Sequence, residues 1–83
     1  MQISYKFKMT ARCPNDHLPD LYEVEVISSR TIFAEELIEV SNKIGASDIH
    51  LSQEDITEKL ARHFAATVIT KGCHYGVLTK VKA

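Results

Sequence analysis

From residue 2 to residue 11 the chain alternates apolar and polar positions without a break. Ile3, Tyr5, Phe7, Met9 and Ala11 fall on one side, and Ser4, Lys6, Lys8 and Thr10 on the other. Successive side chains of a strand point to opposite faces, so this spacing predicts a β-strand with one dry and one wet face. The segment 12–20, RCPNDHLPD, holds both prolines of the chain together with Asn and Asp, and reads as a loop. Alternation returns with Tyr22, Val24 and Val26 against Glu23 and Glu25, predicting a second strand that ends near Ser28. The nine-residue connection is long for a hairpin, and long loops on small scaffolds tend to carry function.

The period then changes. Phe33, Leu37, Val40 and Ile44 lie at i, i+4, i+7 and i+11, one stripe of an amphipathic helix. Gly45 stands where a left-handed C-cap is wanted. Ser52, with Asp55 three residues on, has capping-box spacing and predicts the start of a second helix. Its apolar stripe is Ile56, Leu60 and Phe64, with Glu58 and Arg62 as an outward i,i+4 pair. From about residue 67 the pattern is β again, apolar and β-branched to Thr70. A turn is expected over 72–76, after which Val77, Thr79 and Val81 alternate with Leu78, Lys80 and Lys82.

The predicted class is therefore α+β, in the order strand, strand, helix, helix, strand, strand, as one domain over residues 1–83. Two consecutive helices exclude a ferredoxin-like βαββαβ order and any parallel βαβ array. A four-stranded antiparallel sheet with a helix pair on one face fits the pattern. Its other face and both edges would stay uncovered in a monomer, which points to self-association.

Composition sharpens this picture. With 83 residues, 45% hydrophobic and 25% charged, the chain matches one ordinary globular domain and excludes disordered or collagen-like readings. A chain this short buries only about 60–65% of its unfolded surface, so its core is thin and an oligomer is expected. The formal net charge of −1 argues against a strongly basic nucleic-acid module, while a local patch or a tRNA substrate stays open. No apolar run approaches the ~20 residues that span a bilayer, and no signal-peptide core precedes the first strand. A soluble, cytoplasmic protein with no membrane partner is expected. In that compartment Cys13 and Cys73 are free thiols, ligands or a nucleophile rather than a disulfide staple.

The Cys13 loop carries the most chemistry. Proline follows the cysteine directly and pushes it toward an extended conformation. Arg12 and His17 are near in sequence and would favour a thiolate. Asp20 follows seven residues after Cys13, and in a loop that doubles back it would face the sulfur as a proton donor. The plainer alternative is a small buried hydrophobe at Cys13 and a strand-entry residue at Asp20. Cys13, His17, Cys73 and His74 form a conceivable Cys2His2 set. Adjacent ligands close a tetrahedron poorly, however, and no C-x2-C is present, so no metal is expected. His74 would either line a substrate site or stand solvated in its turn; His50 and His63 read as loop and outer-helix residues. Lys6, Lys8, Lys80 and Lys82 lie on the two terminal strands and would share one basic face, solvated or in contact with a nucleic-acid backbone.

Residues 10–20, TARCPNDHLPD, resemble the nucleophile loop of the 7-cyano-7-deazaguanine (preQ0) nitrile reductases, which reads T-S-x-C-P-x-T-G-x-P-D. Five positions agree in identity and spacing. Gln53-Glu54-Asp55 is similar to that family's F-H-E-D segment. The resemblance implies the tunnelling fold, whose ββααββ unit is the order already read from the pattern. It also implies a mechanism: Cys13 attacks a nitrile carbon to give a thioimide, Asp20 is the general acid toward the nitrile nitrogen, and Glu54 anchors the guanine-like ring. Gln53 and His74 are further candidates for contact with the substrate. A carboxylate accepts two hydrogen bonds from a ring N–H and its exocyclic amine, and a thiolate is nucleophilic enough for a nitrile. Without the resemblance, Glu54 reads equally as a first-turn carboxylate favoured by the helix dipole.

Two departures redirect the expectation. The reductases carry an E-[SL]-K-[SA]-x-K stretch associated with NADPH, where this chain has the lysine-free segment 33–38, FAEELI. The His of F-H-E-D is replaced by Gln53. Both fit better with the family's archaeosine-forming paralogue, which lacks the NADPH stretch and adds ammonia to the nitrile to give an amidine. No cofactor is then expected. NADPH-dependent reduction to the aminomethyl product, preQ1, is the alternative within the family, and a non-catalytic purine- or pterin-binding oligomer is the alternative outside catalysis. The resemblance thus implies a 7-deazaguanine substrate, as the free base or carried in tRNA or DNA.

Overall fold

A computed structural model describes residues 1–12, 19–47 and 51–83 of the chain. The element order is β1 (Ile3–Arg12), β2 (Pro19–Ser28), α1 (Ala34–Gly45), α2 (Gln53–Phe64), β3 (Thr67–His74) and β4 (Val77–Lys82). The strands form one antiparallel sheet in the order β1-β2-β3-β4, so the expected ββααββ arrangement is the one observed. The core lies between the sheet and the helix pair. Met9, Ala11, Tyr22, Val24, Val26 and Val68 from the strands meet Leu37, Ile56, Leu60 and Phe64 from the helices.

Several boundaries differ from the sequence reading, each for a physical reason. β2 begins at Pro19, with Arg12 opposite Pro19 and Ala11 opposite Asp20. Proline is tolerated as the first residue of a strand, where its missing N–H breaks no ladder. The connection therefore spans only residues 13–18, and Asp20 belongs to the strand. β3 runs on through Gly72 and Cys73 to His74, so the turn is Tyr75 and Gly76 alone. Both have positive φ, 53° and 79°, the conformation that a two-residue type I′ hairpin requires. Phe33 stands outside α1 as its N-cap and is 72% exposed, leaving Leu37, Val40 and Ile44 as the packed stripe.

Gly45 is the last residue of α1 rather than a left-handed cap, a role for which Ala46 has the wrong φ as well, at −93°. The glycine is needed for proximity: a Cβ there would come within 2.1 Å of the Thr10 carbonyl oxygen, so helix and β1 touch backbone to backbone. α2 starts as expected, with Ser52 Oγ accepting the Asp55 N–H at 3.2 Å. It ends at Ala65 in the left-handed conformation. Glu58 and Arg62 pair at 2.9 Å on the outer face.

The four lysines of the terminal strands do not make one continuous basic face, because β1 and β4 are opposite edges of the sheet. On the uncovered face two charged rows cross the strands. One reads Lys8, Glu23, Lys71, Lys80 and the other Lys6, Glu25, Ile69, Lys82. Glu23 and Glu25 thus interrupt the lysines on β2, while Lys71 and Lys80 stand side by side on β3 and β4.

Candidate active site

Antiparallel order brings the β1–β2 connection, the β3–β4 hairpin and the first turn of α2 to the same end of the molecule. Asp20 and Tyr22 reach it on the helix side of β2, and Gly72 and His74 on the helix side of β3. Asp20 Oδ2 lies 3.6 Å from His74 Nδ1 and accepts from the Tyr22 hydroxyl at 3.4 Å. The Tyr22 ring stands 5.9 Å from the His74 ring, tilted by 52°. It fits because the next strand offers no side chain at Gly72, where a Cβ would be 2.6 Å from a ring carbon. The Asp20 and His74 side chains are 21% and 30% exposed, so both reach the surface.

Behind them Gln53 is 4% exposed, held at the start of α2. Its amide nitrogen donates to the Thr79 carbonyl at 3.0 Å, and to the Thr70 carbonyl and hydroxyl at 3.3 and 3.2 Å. Its amide oxygen faces His74 Nε2 at 3.1 Å. Thr70 and Thr57 join hydroxyls at 2.6 Å, and the Thr57 hydroxyl donates to the Gln53 carbonyl at 2.7 Å. A closed ring of hydrogen bonds therefore pins Gln53 between α2 and β3, with every buried polar atom in it satisfied.

Of the candidate residues, Asp20, Gln53 and His74 are in mutual contact through His74. Glu54 is next in the chain, exposed in the first turn of α2, and its side chain makes no hydrogen bond or ion pair to a described residue. Cys13 lies outside the described residues, in the connection that joins β1 to β2 at this end; His17 and His50 are outside them also. Cys73 is exposed on the opposite face of β3 from His74, so the two side chains diverge instead of sharing a ligand. Among the described residues no three His, Cys, Asp or Glu side chains converge. No helix of the described chain is long and apolar enough to cross a membrane.

Pattern reading missed Tyr22, Thr57, Thr70 and Thr79 as parts of this network. Tyr22 was legible only as a core position and the threonines only as β-branched or helical filler. The lysine-free segment expected in place of the NADPH stretch forms the first turn of α1, where Glu36 lies 3.7 Å from His63 near the end of α2. Within one chain it sits at the far end of the helix pair from Gln53. Elsewhere again, on the uncovered sheet face, a concavity of about 360 Å³ is lined by residues including Leu21, Lys71, Cys73 and Leu78.

Comparison with known proteins bears on the fold. No family model matches the chain, and no curated protein matches it. Among solved structures it is similar to the archaeosine synthase QueF-Like in its apo form, with a TM-score of 0.80 and 20% sequence identity. That match covers 99% of this chain and 90% of the other. The chain thus has the α+β fold of that enzyme over its whole length, the ββααββ fold that both the pattern and the loop resemblance led one to expect.

Proposed function

We propose that the chain processes the nitrile of a 7-cyano-7-deazaguanine through a thioimide on Cys13, and that ammonia resolves this intermediate to an amidine. The observation that carries the reading is the seating of Asp20. Seven residues after Cys13, it is held at the rim on β2 by Tyr22 and beside His74, partly exposed and next to the connection that bears the thiol. The shared fold with an archaeosine synthase supports it.

In the forward step the Cys13 thiolate forms a bond to the nitrile carbon as one C–N π bond breaks. Asp20 delivers a proton to the nitrogen and becomes a carboxylate, with His74 beside it to share the charge. Glu54, exposed at the start of α2 and free of ties to described residues, accepts the ring N–H and exocyclic amine of the base. Ammonia then attacks the thioimide carbon, the C–S bond breaks, and the sulfur leaves with a proton as the thiol. The sum is nitrile plus ammonia giving amidine, with no electrons transferred. Glu35 and Glu36 in the first turn of α1, where the reductases present lysines, would repel a 2′-phosphate, so the proposed reaction does without NADPH.

Product mass decides between the outcomes. Incubating the protein with preQ0 and ammonium, as the free base and in tRNA, is expected to yield a product heavier by one ammonia, with no loss of NADPH absorbance when that cofactor is added. Stoichiometric NADPH loss with a product gaining four hydrogens would overturn the amidine assignment in favour of reduction.

A further inference from the structure

We infer that Gln53 is a positioning residue: its amide fixes the Nε2–H tautomer of His74 and turns Nδ1 toward Asp20, so that the Asp20–His74 contact holds one transferable proton. This rests on the reading of Asp20 as the general acid. The warrant is the direction of each hydrogen bond. The backbone carbonyls of Thr70 and Thr79 can only accept, so the Gln53 group that faces them is the NH2. The amide oxygen is then committed to His74, and an oxygen can only accept. Nε2 of His74 must therefore be the donor, whatever the charge of the ring.

The consequence falls on the other nitrogen. With Nε2 protonated, Nδ1 meets Asp20 either as N–H beside a carboxylate or as a lone pair beside a carboxylic acid. A lone pair facing a carboxylate would set like partial charges against each other at 3.6 Å, so a proton placed between the two groups is what makes the contact favourable. Tyr22 adds a hydroxyl to the same Asp20 oxygen from β2; the facing residue on β4 is Val77, which adds no charge. Were the Gln53 amide absent, the ring would be free to present Nδ1–H in its neutral form and an ionised Asp20 would have no proton to give. Gln53 thus acts through His74, without itself touching the base.

Nitrogen-detected NMR of uniformly ¹⁵N-labelled protein tests this without any substrate. His74 is assigned by the signals lost in His74→Asn. The expected result is that Nε2 keeps its proton through a pH titration while Nδ1 alone changes. Loss of the Nε2 proton, or a mixture of neutral tautomers, overturns the inference. Gln53→Met, close in volume but without the amide, is expected to give mixed tautomers at His74. It should also slow covalent adduct formation with preQ0 on the order of 10²-fold, with reversible binding of the base retained. If that variant does not fold, the wild-type titration still decides. An adduct on wild-type protein combined with a mobile His74 tautomer would overturn the amide lock alone; a locked tautomer without any adduct would overturn the reaction instead.

Discussion

At Gly72 the absence of a side chain makes room for the Tyr22 ring, whose hydroxyl in turn holds Asp20 beside His74. Gly72→Ala would drive a methyl group to 2.6 Å from the ring, and the Tyr22 side chain is fully buried. An expected cost of about 1–3 kcal/mol in chemical denaturation follows from overpacking, together with slower adduct formation as Asp20 shifts. Unchanged stability would show that the ring has space to move. Thr70→Val removes an acceptor for Gln53 and a donor to Thr57 while keeping the shape. Gln53 keeps both carbonyl acceptors and Thr57 keeps the Gln53 carbonyl, so the expected cost is that of the two lost hydrogen bonds, about 1–3 kcal/mol together. Part of this site was legible in the sequence. Asp20 and Glu54 stood out because short segments around them resemble a known loop and helix start. The contacts among Asp20, His74 and Gln53 were not legible, since they depend on the register of β2 against β3. Gly72 hid that register further by reading as a turn residue when its task is to accommodate a ring.

Among the elements, α2 is the one that most directly positions chemistry, since its first turn presents both Gln53 and Glu54. Ser52 holds that turn by accepting the Asp55 N–H. Ser52→Ala is expected to destabilise the protein by about 1 kcal/mol, and Ser52→Asp to restore most of it, as read from denaturation midpoints. A Ser52→Ala variant as stable as wild type would mean that the first turn is held by its packing alone. Gly45→Ala tests the seating of α1: its Cβ has no space against the Thr10 carbonyl, so the helix must move off β1 or the chain must lose stability. Period and capping revealed the elements well, because strands of period two and helices with a clear stripe carry their own signal. The ends of β2 and β3 were missed by a few residues. Proline and glycine announce turns on general grounds, yet each is at home in a strand where a ladder donor or a side chain is not needed. Phe33 was drawn into the α1 stripe by its spacing alone, and spacing does not reveal where the helix begins.

For the whole molecule, the open edges of β1 and β4 and the uncovered sheet face are the main unbalanced features. A thin core on one side of a single sheet favours association through the strand edges, so multi-angle light scattering is expected to give a multiple of the 9.4 kDa chain mass. A 9.4 kDa species at micromolar concentration would contradict that expectation. The central claim is nonetheless chemical, that Cys13 adds covalently to the nitrile of a 7-deazaguanine. Intact-mass spectrometry after incubation with preQ0, without ammonium, tests it most directly. The predicted result is a species heavier by one whole preQ0, since addition to a nitrile expels no atom. It should be absent from Cys13→Ala and retained in Cys73→Ala. An unmodified wild-type chain, or an equal adduct on the Cys13→Ala variant, would contradict the account.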